Sequence, residues 1–224
     1  MGSKNKLKRF KENETFENVI QPTREEVITN FSHKGKWHSF FGNNNPIVVE
    51  LGCGKGEYTI ALARKNPNKN YIGIDIKGAR FWRGAKTAIE ENLPNVAFVR
   101  TQIELVDYIF AENEVSEIWI TFPDPFLKKS KSNRRLTSSW FLSQYKKILP
   151  SGAIINLKTD SPELYEFTLE VLETEAEYEI IYQNFDIYKE PLIIPELETK
   201  TWYERSHLLD NRLIKFIQIR YQGA

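Results

Sequence analysis

The stretch "EIWITFPDPFLKKSKSNRRL", residues 117–136, sets one carboxylate, Asp124, between two prolines and follows it with Lys128, Lys129, Lys131, Arg134 and Arg135. The prolines restrict the backbone around the acid. Five cations beside one acid suit a polyanionic substrate, since Lys and Arg neutralise phosphates without reading sequence. The competing reading is a solvated charged loop with Asp124 as a turn residue. Upstream, "VVELGCGKGEYTIALA" places Gly52, Gly54 and Gly56 between a β-type run and a helical one. Such glycines permit a tight turn and let backbone N–H groups approach a ligand at a helix start. Their spacing is G-x-G-x-G, not the G-x-G-x-x-G of dinucleotide binders. Glu50, just before the loop, repels phosphate and welcomes a cation. Asp75, ending "YIGIDI", is the kind of acid that accepts hydrogen bonds from ribose hydroxyls. A nucleoside with a positive centre and no phosphate satisfies both acids, and S-adenosylmethionine has that chemistry. An NAD site would use Asp75 in the same way but fits neither the loop spacing nor Glu50. Cys53 reads as a small side chain suited to the turn rather than as a nucleophile.

The elements that must hold these residues alternate along the chain. "PIVVELG", "NYIGIDI", "VAFVRT", "SEIWITF" and "GAIINLKTD" are short, near-continuously apolar β-type runs, and amphipathic helical stretches separate them. That alternation predicts an α/β fold whose parallel sheet is covered on both faces. Two later runs, "YEIIYQNF" and "LIKFIQIRY", lack a helix as long as the earlier ones between them, so the sheet is expected to end antiparallel. Asp124 and Asp160 then fall at the C-terminal ends of strands, where open α/β sheets bind ligands. Residues 1–22 form a basic arm (Lys4, Lys6, Lys8, Arg9 and Lys11 with Phe10 and Phe16) that reads as a solvated tail or as an arm that orders on RNA or over the ligand. Residues 23–224 read as a single domain.

The combination "ELGCGKG…GIDIKGAR…FPDPFLKKSKSNRRL…LKTD…TWYE" resembles the bacterial tRNA (guanine-N7)-methyltransferases from about residue 45 onward. The glycine loop is common to many methyltransferases; the F-P-D-P, K-T-D and T-x-Y-E segments together are more specific. The resemblance implies a Rossmann-like class I methyltransferase fold, with a mostly parallel seven-stranded sheet. It implies methyl transfer from S-adenosylmethionine, leaving S-adenosylhomocysteine, to N7 of a variable-loop guanosine (position 46) of tRNA. By the same resemblance Glu50, Gly52, Gly54, Asp75, Gln102 and Asp124 hold the cofactor, and Asp124 is the catalytic acid. Lys128, Arg134, Arg135 and Asp160 are expected to meet the RNA, as are Thr201, Trp202, Tyr203 and Glu204. The chain departs from the pattern at Ser130–Lys131, where relatives usually carry Arg-His, and at Gln102, where they commonly carry an acid. The alternatives are a methyltransferase with another acceptor and a non-catalytic tRNA-binding protein on the same scaffold.

Composition bounds the rest. The 224 residues suffice for a sizeable core, and a formal net charge of +1 excludes a globally basic, histone-like binder while leaving room for a basic face. A single cysteine allows no intramolecular disulfide, no apolar run has the length of a membrane span, and the N-terminus lacks a signal peptide's apolar centre. The expectation is a cytoplasmic protein with no membrane association and no implied protein partner, whether monomer or homodimer. His33, His38 and His207 lack metal-ligand spacing, so no metal is expected.

Overall fold

The structure, a computed structural model, describes residues 3–223, with side chains from Asn5 onward, so the Lys4 side chain of the basic arm lies outside the described residues. The chain divides into two compact units, Met1–Ala111 and Glu112–Ala224. The first contains α1 (Ser3–Asn13), β1 (Val19–Ile20), α2 (Arg24–Asn30), α3 (Trp37–Phe41), β2 (Ile47–Leu51), α4 (Glu57–Lys65), β3 (Asn70–Ile74), α5 (Gly78–Glu90), β4 (Val96–Val99) and α6 (Val106–Ile109). Its strands are parallel in the order β1-β4-β3-β2. Every residue of β2, β3 and β4 is buried, which is why these strands read as continuous apolar runs rather than alternating ones.

One aromatic ring sets how closely the first unit packs. Phe98 on β4 stacks on Phe81 of α5, with ring centroids 5.4 Å apart. A Cβ added at Gly56 or at Gly73 would lie 2.7 Å from the Phe98 ring, and one at Gly84 would lie 2.8 Å from the Lys55 carbonyl. Glycines at these points let the loop, α4 and α5 close onto the ring. Gly56 also adopts φ 73°, a left-handed conformation that an L side chain resists.

The basic arm differs from a solvated tail. Residues 3–13 are helical, and Asn13, fully buried, donates through Nδ2 to the Gly78 carbonyl at 3.0 Å. Glu12 accepts from Trp82 Nε1 at 2.9 Å and pairs with Lys86 at 2.8 Å. The Arg9 guanidinium lies 4.5 Å over the Trp82 ring and Arg100 lies 4.9 Å over Phe10. The partners that order the arm come from α5 and from Arg100 just after β4, so local composition gives no sign of them.

The second unit contains β5 (Glu117–Thr121), α7 (Ser139–Tyr145), β6 (Ile154–Thr159), α8 (Pro162–Leu172), β7 (Tyr178–Asn184), α9 (Trp202–Leu209) and β8 (Lys215–Tyr221). β5 and β6 are parallel, and β8 runs antiparallel to both β6 and β7, giving the order β5-β6-β8-β7. The antiparallel ending appears as expected. The strand beyond the seven expected is β1, two residues too short to leave a periodic signal. Helix starts follow ordinary capping chemistry: Ser138, Ser161 and Thr201 each accept a backbone N–H from the first turn of α7, α8 and α9. Among the described residues no helix is long and apolar enough to cross a membrane.

Gly56→Ala combines the left-handed backbone with the Phe98 clash and should destabilise the protein by about 2–3 kcal/mol. Gly42→Ala, at φ 67° with nothing within 4 Å, carries the backbone part alone and should cost about 1 kcal/mol. Urea denaturation of the two variants measures the difference.

Candidate active site

In the first unit the expected cofactor residues gather at the C-terminal ends of parallel strands. Glu50 is the fourth residue of β2, in register with Gly73 on β3, and Asp75 immediately follows β3. Glu50 is 5% exposed; its Oε2 accepts the Thr59 N–H at 2.9 Å and also the Thr59 hydroxyl. Asp75, 8% exposed, accepts the Gly54 N–H at 3.1 Å through Oδ2 and the Lys77 N–H at 2.7 Å through Oδ1. Both acids thus stand at the strand ends where an open α/β sheet offers side chains to a ligand. Gly52 and Gly54 have φ of 76° and 56°, and a Cβ at Gly54 would meet only the Gly52 carbonyl, at 3.9 Å. That room beside a backbone held by Asp75 suits close approach of a ligand. Gln102 is exposed and lies just past β4, before the 3-10 turn Ile103–Leu105. Two acids with an open glycine loop fit a cationic nucleoside, and therefore S-adenosylmethionine, better than a phosphate. Burial, and after it the charges of Glu50 and Asp75, push the Cys53 thiol well above its ordinary pKa. Cys53 is thus a poor nucleophile and a good turn filler.

The residues expected on the acceptor side belong to the second unit. Asp124 is exposed after β5, and its Oδ1 accepts the Phe126 N–H at 2.9 Å, closing a turn across Pro125. Phe122 and Phe126, flanking the P-D-P, have φ of 49° and 40°, rare for aromatic residues. Lys128, Lys129, Lys131 and Arg134 are exposed on or beside the 3-10 turn Lys129–Arg134, with Arg134 5.0 Å over the Phe126 ring. Asp160 Oδ2 is 2.8 Å from Arg212 Nη1 and 2.8 Å from His207 Nδ1. The Arg212 contact is a hydrogen bond; the His207 contact is close but is not one. His207 also stacks against Tyr203, with centroids 3.9 Å apart, and Tyr203 packs on Phe122. An open cavity of ≈ 450 Å³ is lined by Pro123, Pro125, Asp160, Tyr203, Arg212 and Lys215, among others.

A family model described as "Putative methyltransferase" matches residues 44–215. The tRNA (guanine-N(7)-)-methyltransferase of Christiangramia forsetii is 59% identical to this chain over 98% of it and 99% of that protein. The protein of the same name from Bacteroides fragilis is 46% identical over 96% of this chain and 85% of its own. The chain belongs to the tRNA (guanine-N(7)-)-methyltransferase family. Among solved structures, the 16S rRNA methyltransferase KamB aligns with a TM-score of 0.64 at 17% identity, covering 84% of this chain and 94% of that one. The 16S rRNA (adenine(1408)-N(1))-methyltransferase from Catenulisporales acidiphilia aligns with a TM-score of 0.59 at 18% identity, covering 85% and 93%. Those likenesses bear on the fold alone, which is that of class I methyltransferases. Among the described residues no group of three or more His, Cys, Asp or Glu side chains could hold a metal ion.

In this member of the tRNA (guanine-N(7)-)-methyltransferase family, three residues expected to meet RNA are buried. Glu204 is fully buried: it pairs with Lys158 Nζ at 2.8 Å and accepts the Tyr188 hydroxyl at 2.5 Å. Such a carboxylate has no exposed edge for a base. Thr201 is likewise buried and caps α9 by accepting the Glu204 N–H at 3.1 Å. Arg135 is 7% exposed, with Nε on the Pro125 carbonyl and Nη2 on the Phe126 carbonyl, so it does not share the outward face of Arg134. Trp202 and Tyr203, in contrast, are exposed aromatic surface on α9.

Sequence reasoning missed Lys158, His207 and Arg212. Lys158 had a usable signal, since a lysine inside an apolar strand must find a buried partner. Burial pulls its ammonium below its usual pKa and the Glu204 charge resists that shift, while burial and then the Glu204 hydrogen bond push the Tyr188 phenol up. Lys158→Met should strand the Glu204 charge and destabilise the protein by about 3–5 kcal/mol. Lys158→Met/Glu204→Gln, which strands no charge, should recover much of that loss in the same denaturation assay.

Proposed function

We propose that this protein transfers a methyl group from S-adenosylmethionine to N7 of a guanosine in tRNA, and that the guanosine is the variable-loop residue at position 46. The observation that carries the reading is Asp124, an exposed carboxylate held in a constrained loop at a strand's C-terminal end and followed by exposed cations. S-adenosylmethionine, when bound, supplies a methyl group activated by its sulfonium. Glu50 and Asp75 provide acceptors for the cofactor's charge and ribose hydroxyls, Gly52 and Gly54 give access to the loop backbone, and Gln102 offers a carbonyl oxygen to the adenine amino group.

Guanine N7 carries a lone pair and no proton at neutral pH, so its methylation requires no general base. The protein has instead to align N7 with the methyl group and to accommodate positive charge as it develops on the base. Asp124 does the second by accepting hydrogen bonds from the guanine edge and by its negative charge. Lys128 and Arg134 neutralise tRNA phosphates. Trp202 and Tyr203 offer faces on which an unstacked base can lie. Asp160, already paired with Arg212, is a local acceptor rather than a free anion, and that pairing moderates its repulsion of RNA.

The first test is transfer of labelled methyl from S-adenosylmethionine to unmodified tRNA, with identification of the digested nucleoside. N7-methylguanosine is expected, and it should disappear when the position-46 guanosine is replaced. Cofactor binding without a methylated nucleoside would point to another acceptor, and tRNA binding without cofactor binding to a non-catalytic scaffold. Asp124→Ala should abolish turnover while leaving the fold intact by circular dichroism; near-normal turnover would remove Asp124 from the mechanism. Lys128→Ala/Arg134→Ala should weaken tRNA binding and reduce the slope of log K against log salt by about 2.

A further inference from the structure

The Asp124 loop is held in a conformation its own residues disfavour. Phe122 and Phe126 both have positive φ, and neither is a residue type that tolerates the left-handed region well. The turn hydrogen bond from the Phe126 N–H to Asp124 Oδ1 means that any relaxation at Phe126 rotates the carboxylate as well. Something outside residues 122–126 has to hold the loop's carbonyls in place.

Arg135 fills that role. Its Nε donates to the Pro125 carbonyl at 2.9 Å and its Nη2 to the Phe126 carbonyl at 3.2 Å, so one planar group clamps the two residues after Asp124. The guanidinium lies 4.3 Å over the Phe167 ring of α8. Its own backbone is fixed as well: the Arg135 N–H donates to the Ser132 carbonyl at 3.0 Å, and its carbonyl accepts the Ser138 N–H at 3.0 Å, just before α7. A lysine there would deliver one point charge, without the fork that reaches two carbonyls or the flat face that stacks.

We infer that Arg135 is a positioning residue, which fixes the orientation of the Asp124 carboxylate for methyl transfer and does not bind tRNA phosphate. This inference rests on the role proposed for Asp124. It predicts a kinetic signature opposite to that of a phosphate ligand. A misplacement of about 1 Å can lower a rate by roughly 10²-fold. A lost phosphate contact lowers affinity and reduces the salt slope by about 1.

The test compares Arg135→Lys and Arg135→Met with the natural protein, using tRNA as substrate. Both variants should lose about 10- to 100-fold in kcat, with KM for tRNA within a few-fold and an unchanged salt slope. Cofactor affinity, to which Asp124 is expected to contribute alongside Glu50, Asp75 and the glycine loop, should fall far less than kcat; circular dichroism and melting report folding. Recovery of kcat by Arg135→Lys, or a salt slope reduced by about 1 in Arg135→Met, would overturn the inference in favour of a phosphate contact. Unchanged kinetics in both would overturn it in favour of a purely structural residue. If Arg135→Met fails to fold, Phe167→Leu, which removes only the stacking face, should still lower kcat, and natural kinetics there would count against the inference.

Asp124→Asn, alone and combined with Arg135→Lys in single-turnover assays, separates this inference from the role of Asp124. If the two residues act together, the double variant is no slower than Asp124→Asn; full additivity would refute action through Asp124. Natural turnover in Asp124→Asn would sink the role of Asp124 itself, whatever Arg135 does.

Discussion

The acceptor side of this protein hangs from one buried cation. Lys158, on β6, has no solvent exposure, and a charge there is tolerable only because acceptors surround it. Its ammonium meets the carbonyls of Leu197 and Thr199 at 3.2 and 3.0 Å and the Glu204 carboxylate at 2.8 Å. Its backbone carbonyl accepts the Phe122 N–H at 2.8 Å, where the Asp124 loop begins, and Asp160 lies two residues further along the strand. The loop with Asp124, the strand tip with Asp160 and the helix with Trp202 and Tyr203 thus share one anchor. Glu204 completes the arrangement from beneath, since it caps the buried charge and takes the Tyr188 hydroxyl.

The first unit solves a related problem with backbone groups in place of a buried cation. Two carboxylates at neighbouring strand ends would repel each other and drift toward solvent if left unbonded. Thr59 on α4 holds Glu50, and the amides of Gly54 and Lys77 hold Asp75. The acids and the glycine loop therefore fix one another: Gly54 has to turn left-handed for its amide to reach Asp75, and Phe98 leaves no room for a side chain at Gly56. That arrangement keeps both carboxylates at the strand ends beside the loop backbone.

The α/β alternation, the antiparallel ending and the strand-end placement of Glu50, Asp75 and Asp124 were legible from the chain. Continuous apolar runs ending in Glu50, Asp75 or Thr121 can only be buried strands, and a strand's end is where an α/β sheet offers its side chains to a ligand. The glycine spacing and the acid between prolines are local features, and local features survive in sequence. What stayed hidden was pairing. The arm's helix depends on Trp82, Gly78 and Lys86, more than sixty positions away for each contact, and no window over residues 1–22 contains them.

Residue type and spacing alone determined the α/β class, the acids at the ends of β2 and β3 and the exposed Asp124, because each follows from periodicity or from a short motif whose chemistry is local. Only the tertiary structure decided which members of a charged cluster face outward. Arg134 and Arg135 are adjacent and chemically identical, yet one is exposed and the other is buried against Pro125, Phe126 and Phe167. Glu204 and Tyr203 are likewise neighbours, one buried in an ion pair and the other exposed. The reason is geometric: on α9 successive residues point about 100° apart, while Arg135 leaves the 3-10 turn with extended backbone, and which direction is solvent depends in both cases on elements the local sequence does not contain.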